Sequence, residues 1–207
     1  MASTTDFTVI NAAAGRTGNN PMTSLSDGSI VANIASSNYE DLVKAELSLH
    51  PWKSASKIAS LVRLDPDVEG EPPAPWSAAY QLPGDVIDIR TVTVWGEPID
   101  YAVHGDAILC YAAPDQDVVL SYVWRVPEAL WPPWFREGMI RRCEAIFLRG
   151  IGERYREAQA RDVAADDQFA KARTRDSQSQ TPRDPARSPT LQARIGSGAT
   201  RLPGRLR

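Results

Sequence analysis

The sequence has few of the side chains that usually build a catalytic or metal site. It contains only two histidines, His50 and His104, and neither has a Cys, Asp or Glu at metal-ligand spacing. A GxSxG nucleophile motif is absent, and the Gly-containing loops at 15–18 and 196–198 do not end in the Gly-Lys-Ser/Thr of a phosphate-binding loop. We therefore expect no enzyme activity, no cofactor and no metal site.

Isolated cysteines and paired acids do not change this expectation. Cys110 and Cys143 belong to no CxxC pair, so we expect buried free thiols. Asp85 with Asp88, and the pair at 166–167, have the residue types of an acid–base pair or a divalent-cation site. We expect them to be solvated carboxylates on a strand edge and on a charged helix, respectively.

Long apolar segments are also lacking. No run approaches the roughly 20 residues that cross a bilayer, and residues 1–7 lack the basic start and apolar stretch of a secretory signal. Hydrophobic residues nevertheless make up 43% of the 207 residues, which is enough for an ordinary globular core. We expect a protein that is made in a cytoplasm and does not contact a membrane.

Charge is distributed unevenly along the chain. Residues 1–135 contain 7 basic and 17 acidic side chains, whereas residues 177–207 contain six arginines and one aspartate. The last segment also has four prolines and few large apolar side chains. Because it cannot bury enough surface to offset its ordering entropy, we expect it to be disordered alone and held by a partner. The pattern is that of an acidic body with a basic arm.

Helical spacing of apolar residues predicts helices over about 6–14, 29–49 and 133–175. Asp6 is the candidate N-cap of the first helix, and Asp27 or Ser29 that of the second. Gly150 and Gly152 are expected to bend or divide the third. The buried face of the second helix is predicted to include Ile30, Ile34, Leu42, Ala45 and Leu49.

Between these helices the pattern changes to short alternating segments. Residues 86–95 and 99–105 alternate apolar and polar side chains, and the stretches at 107–112 and 118–126 are rich in β-formers. Tight breaks such as Gly96–Glu97–Pro98 separate them, which favours an antiparallel meander. The fold class is therefore α+β and mainly helical: a helical bundle with an antiparallel β meander inserted over about 52–126, and an extended C-terminal arm. The domains are 1–176 and the arm at 177–207.

Six tryptophans stand mostly at the junctions between these segments. Burial in the core is the common role of so large a side chain, and we expect it for Trp52 and Trp95. For Trp131 and Trp134, core packing and anchoring of a subunit interface remain equally open.

Four short segments follow one another in a recognisable order: INAAAG from Ile10, MTSLSD at 22–27, HPW at 50–52 and YQLPGD at 80–85. Together they resemble the tail tubular protein A or head–tail adaptor family of tailed bacteriophages, over about residues 8–175. The matching positions are Ile10, Asn11, Ala13, Met22, Thr23, Ser24, Leu25, Asp27, His50, Pro51, Trp52, Tyr80, Leu82, Pro83 and Asp85. Ala14 stands where that family has Leu.

The resemblance implies a structural connector subunit of the virion. Such subunits form a ring, expected to be a dodecamer, that binds the phage portal protein and receives the next tail component, a nozzle or a stopper and tail tube. DNA passes through the channel without sequence-specific binding, which suits an acidic body. The arm is expected to bind the portal through Arg183, Arg187, Leu191, Arg194, Ile195, Arg201, Leu202, Arg205 and Arg207.

A nucleic-acid-binding accessory protein is the alternative. The six arginines of the arm have the charge to neutralise phosphates, and this function predicts DNA binding that weakens steeply with salt. Against it, the arm contains no aromatic residue for base stacking and the body is acidic.

Overall fold

The computed structural model describes residues 7–66 and 70–179. Within these ranges the helices are α1 (Thr8–Arg16), α2 (Ile30–Ser48), α3 (Pro133–Gly150) and α4 (Tyr155–Gln178). The strands are β1 (Ser56–Ser60), β2 (Ala78–Gln81), β3 (Val86–Val94), β4 (Glu97–Pro98), β5 (Tyr101–His104), β6 (Ala107–Cys110) and β7 (Val118–Trp124).

Helix α1 is joined to the loop that follows it by side-chain hydrogen bonds. It spans Thr8–Arg16 where 6–14 was predicted, and the proposed cap Asp6 lies outside the described residues. The Asn11 side chain donates to the Met22 carbonyl at 3.0 Å and accepts from the Met22 N–H at 2.9 Å. This reciprocal pair fixes the loop between α1 and α2 against the helix.

Helix α2 begins as predicted but buries a different face. The Ser29 hydroxyl accepts from the Ala32 N–H at 3.1 Å, which confirms the N-cap. The predicted face is wrong: Ile30, Ala45 and Leu49 are exposed, and Ile34 and Leu42 are only half-buried. The buried residues are instead Val31, Ala32, Ala35, Tyr39, Val43, Glu46 and Leu47. The apolar stripes of this helix overlap, and packing against α1 and α3 selects one of them.

Seven strands form two antiparallel sheets. The four-stranded sheet has the order β1-β7-β3-β4, and the three-stranded sheet has the order β2-β6-β5. Strand β7 pairs with β3, and the register shifts twice along β3. Because β7 also pairs with β1, more than sixty residues earlier in sequence, the sheets are not a simple succession of hairpins.

The predicted fold class is therefore wrong in its architecture. The described residues form an α+β mixture, about 45% helix and 21% strand, and not a helical bundle with an inserted meander. The β region builds a core of its own, with Tyr80, Val92, Ile108, Val118 and Leu120 nearly or fully buried. Alternating segments predict strands, but not which strands pair, because that depends on contacts between residues far apart in sequence.

Helices α3 and α4 are separated at the glycines, as predicted. Helix α3 ends at Gly150 and α4 begins at Tyr155. Near the start of α3, Gly138 allows α4 to approach closely, because an added Cβ there would lie 2.7 Å from Cε1 of Phe169. The aromatic rings of Trp52, Phe135 and Phe169 meet in this helical core at centroid distances of 5.0–6.3 Å.

By contact density the chain divides into Met1–Arg173 and Thr174–Arg207. Only residues 174–179 of the second unit are described, and they complete α4. The helix thus runs two residues into the predicted arm, which was placed at 177–207. The nine predicted arm residues, from Arg183 to Arg207, lie outside the described residues.

Candidate interaction surface

Trp131 lies in the helical core. Only 4% of it is exposed, its indole N–H donates to the Val126 carbonyl at 3.0 Å, and its ring packs edge-on against Phe135 at 5.0 Å. The Arg125 guanidinium lies over the same ring at 5.6 Å. The sequence left two roles open for Trp131, core packing and anchoring of a subunit interface. These contacts assign it to core packing.

Trp134 is half-buried against the same core. Its carbonyl accepts from the Gln168 side chain of α4 at 3.1 Å, so its backbone joins the two long helices. Its indole N–H is buried and has no acceptor among the described residues. A role in a subunit interface therefore stays a prediction for Trp134.

Trp95 was expected in the core, and this prediction is wrong because 81% of it is exposed. It occupies a two-residue turn between β3 and β4, with φ of 57° at Trp95 and 83° at Gly96. Positive φ suits the tight turns of hairpins but strains a residue other than glycine, at a cost of about 1–3 kcal/mol. A strained turn therefore holds the largest apolar side chain of the hairpin in solvent. The signal in the sequence was the Trp-Gly pair at the point where alternation stops.

The charged face of α4 pairs largely within the chain. Arg142 of α3 contacts Glu46 at 2.8 Å, Asp162 at 3.2 Å and Asp166 at 2.6 Å. Burial acts to lower the pKa of Arg142, but the hydrogen bond to Asp166 and the charges of Glu46 and Asp162 outweigh it and raise the pKa. Burial also raises the pKa of Glu46, and Arg142 opposes that effect.

A second ion cluster surrounds Glu144, which is 1% exposed. It contacts Arg16 of α1 and Arg161 of α4, each at 3.2 Å. The hydrogen bond to Glu137 is the main cause that raises the pKa of Arg16. These contacts show that α4 packs by pairing charges within one chain.

A third buried acid, Glu128, joins α2 to the segment before α3. It accepts from the Tyr39 hydroxyl at 3.2 Å and from Arg125 at 2.5 Å, and Arg125 also contacts Glu40. Burial is the main cause that raises the pKa of Tyr39, and the Glu128 charge adds to it. The phenol therefore stays protonated at neutral pH and acts as a hydrogen-bond donor that supports the fold.

The residues considered for chemistry are not brought together. Asp85 accepts from Lys57 at 2.6 Å and from the Tyr122 hydroxyl at 3.1 Å. Burial alone would raise the pKa of Asp85, but these two hydrogen bonds and the Lys57 charge lower it. Asp88 contacts Arg90 at 3.2 Å instead. In residues 7–66 and 70–179, no group of three His, Cys, Asp or Glu side chains is arranged to hold a metal ion.

The two histidines and two cysteines lie on four different segments of the fold. The His50 ring packs edge-on against Trp52 at 4.7 Å, while His104 is exposed at the end of β5. Cys110 and Cys143 are buried and free, as predicted. Burial raises the pKa of Cys143 to about 12, so this thiol is a packing group.

No protein-family model matches the sequence, and a search of curated proteins finds no match. Among the described helices, none combines the length and the apolar character that a bilayer crossing requires.

Proposed function

We propose that the chain is a structural subunit of the head–tail connector of a tailed bacteriophage. In this function copies assemble into a ring that joins the portal to the tail, and DNA passes through the channel. The resemblance of the four segments to head–tail adaptors is the basis of the proposal. The described residues add support at two points, the joints of the fold and its exposed apolar surface.

The observation that carries the proposal is that residues of all four segments hold joints between elements. Asn11 and Met22 bind each other across the first loop. Asp27 accepts from the N–H groups of Thr23 at 2.8 Å and Ser29 at 2.9 Å, which shapes the entry into α2.

The other two segments behave in the same way. The buried Trp52 donates its indole N–H to the Glu46 carbonyl at 3.0 Å and so closes the exit from α2. Asp85 ties the start of β3 to Lys57 of β1 and Tyr122 of β7. These contacts give all four segments a role in holding the fold together, which is the role expected of them in a structural subunit.

The exposed apolar surface also suits an assembled protein. Aromatic side chains are enriched at protein interfaces, and the backbone of the β3–β4 turn holds one of them in solvent. Trp95 is the most exposed, and Ile58 on the edge strand β1 follows at 76%. We assign the Trp95 turn to the contact between neighbouring ring subunits.

Mass measurement tests the proposal directly. Native mass spectrometry of the purified chain, alone and mixed with the portal ring of the same phage, should show one discrete complex in which the chain is present in a fixed, ring-sized number. Trp95→Ala should reduce ring formation at least tenfold, while Tyr155→Ala, another exposed aromatic variant on α4, serves as its control. Absence of any complex with the portal would reject the connector function.

The arm has a separate test. A chain that ends at Ser179 keeps all of the described helices and strands, and it should lose binding to the portal. Unchanged portal affinity of this chain would reject the assignment of the arm residues. If the full chain ignores the portal but binds duplex DNA with a steep salt dependence, the nucleic-acid-binding alternative is correct.

A further inference from the structure

A partly exposed aromatic pair lies at one end of the three-stranded sheet. The rings of Trp76 and Tyr111 are 5.0 Å apart and tilted by 42°, and half of Tyr111 is exposed. The Ser77 N–H donates to the Cys110 carbonyl at 3.3 Å, which extends the pairing of β2 and β6 up to this pair. The aromatic pair thus lies directly at the end of the paired strands β2 and β6.

Hydrogen bonds hold the residues beside the aromatic pair in place. Arg63 donates to the carbonyls of Ala112 at 3.4 Å and Ser77 at 3.3 Å, so it joins the two strand ends. The adjoining turn is closed by two hydrogen bonds between Ala113 and Gln116, at 2.8 and 3.1 Å. Together with Tyr111 and Pro114, these residues line an open depression. A partner that binds here meets a surface that needs little reorganisation.

The chemistry of this surface fits an extended, proline-rich peptide. Aromatic-lined grooves bind polyproline II segments because these segments are already extended and lose little entropy on docking. The Trp76 indole N–H and the Tyr111 hydroxyl can donate to the carbonyls that such a segment exposes. Asp115 and Asp117, both exposed in the neighbouring turn, favour a partner that carries positive charge.

The chain itself contains a segment with these properties. Residues 182–189 read PRDPARSP, with prolines at 182, 185 and 189 and with Arg183 and Arg187 between them. It belongs to the 28 residues that follow Ser179. Pro182 follows Ser179 by three residues and Pro189 by ten, so at about 3.1 Å per residue an extended segment would reach roughly 9–31 Å beyond Ser179. The upper end of this range is about twice the radius of gyration of roughly 16 Å expected for a domain of some 170 residues. The segment can therefore reach a copy that packs directly beside its own.

We propose that residues 182–189 of one copy dock as an extended segment on the Trp76–Tyr111 surface of a neighbouring copy. The surface consists of Arg63, Trp76, Tyr111 and Pro114, with Asp115 and Asp117 at its rim. Arg183 and Arg187 face the two aspartates, and the prolines pack on the rings. The contact goes beyond the connector function and rests on it only in that a ring brings copies together. It assigns Arg183 and Arg187 to the neighbouring copy instead of the portal, and leaves residues 190–207 for the portal contact.

A peptide assay on the full chain tests this contact without portal or ring. The host is the full-length chain with Pro182→Ala, Pro185→Ala and Pro189→Ala, so that its own segment does not compete. The probe is a fluorescein-labelled peptide of residues 180–191, and binding is measured by fluorescence anisotropy. We expect saturable binding, which a matched peptide with the three prolines replaced by alanine lacks.

Variants of the host locate the site. Tyr111→Ala in that host should weaken peptide binding at least tenfold, and Trp76→Leu should have a similar effect. Tyr155→Ala is the matched control, because it removes another exposed tyrosine from a different element. Since Tyr111 is half-exposed, its variant tests the site even if Trp76→Leu fails to fold.

Three results would overturn the proposal: no binding of the native peptide, equal binding of the proline-free peptide, or unchanged affinity in the Tyr111→Ala host. None of these results depends on the portal assay. The two experiments therefore distinguish failure of this contact from failure of the connector function.

Discussion

The helical region and the β region are stabilised by different kinds of core. The helical core joins large aromatic side chains and encloses three acidic residues, Glu46, Glu128 and Glu144, each matched to arginine. The core of the β region is mainly aliphatic, and its described members include no buried acid. The β region instead places Trp95 and Ile58 in solvent. The helical region is thus stabilised by buried ion pairs in addition to apolar packing, and the β region mainly by apolar packing.

The largest contrast is expected between two aromatic residues. Phe135→Ala should lower the free energy of unfolding by about 3–5 kcal/mol, because it opens a cavity among the rings of the helical core. Trp95→Ala should change it by less than about 0.5 kcal/mol, because the side chain contributes little buried area. Urea denaturation followed by far-UV circular dichroism measures both. Equal losses would mean that the Trp95 turn belongs to the folded core.

A pair of cations gives the next contrast. Arg142→Met should cost about 3 kcal/mol, because the buried Glu46 loses its partner. Lys57→Met in β1 should cost no more than about 1 kcal/mol, because Lys57 and Asp85 are both more than one-third exposed. Urea denaturation followed by far-UV circular dichroism measures the unfolding free energy of both variants. A larger loss for the lysine variant would contradict the view that ion pairs matter most in the helical region.

A glycine substitution examines the packing of α3 on α4. Gly138→Ala should lower the unfolding free energy by about 1–3 kcal/mol, since the new methyl group overlaps the Phe169 ring. Gly15→Ala in α1 is the control, because nothing lies within 4 Å of the added carbon, and it should be neutral or stabilising. Thermal midpoints measured side by side compare the two. A neutral Gly138→Ala would show that the two helices can separate without cost.

The smallest effect concerns acid stability at the entry to α2. Hydrogen bonds from Ser29 and from the Thr23 N–H lower the pKa of Asp27 to about 2, from an ordinary value near 3.8. A lowered pKa stabilises the fold above about pH 4, and this contribution is lost as the pH falls toward 2. Asp27→Asn should therefore flatten the decline of the thermal midpoint between pH 4 and 2. An identical decline in both proteins would exclude this role.

Local features of the fold are predictable from the sequence, and the pairing of distant segments is not. The Ser29 cap and the break after Gly150 follow from residue chemistry within one or two turns. The buried face of α2 does not, because the helix carries overlapping apolar stripes. The sheet order also depends on β7 returning to β1, and no local pattern encodes that contact.

The candidate surfaces show the same limit. Tryptophan side chains are buried on average, and this expectation holds for Trp52 and Trp131. It fails for Trp95, because the geometry of the β3–β4 turn places that side chain in solvent. The Trp76–Tyr111 pair was not predicted, because the two residues are 35 positions apart and meet only through the pairing of β2 with β6. The internal ion pairs of α4 were not predicted, because the charged residues of one helix do not identify their partners on another.

The pairing of β1 with β7 has a consequence for synthesis on the ribosome. The first strand leaves the exit tunnel long before its partner has been translated, and Ile58 pairs with Ser121 only when the late strand arrives. Closure of so long a loop carries an entropic penalty and slows the search for the native pairing. During that interval the edge of a nascent chain is open to the same edge of another, and production at lower temperature or slower induction should raise the recovered yield.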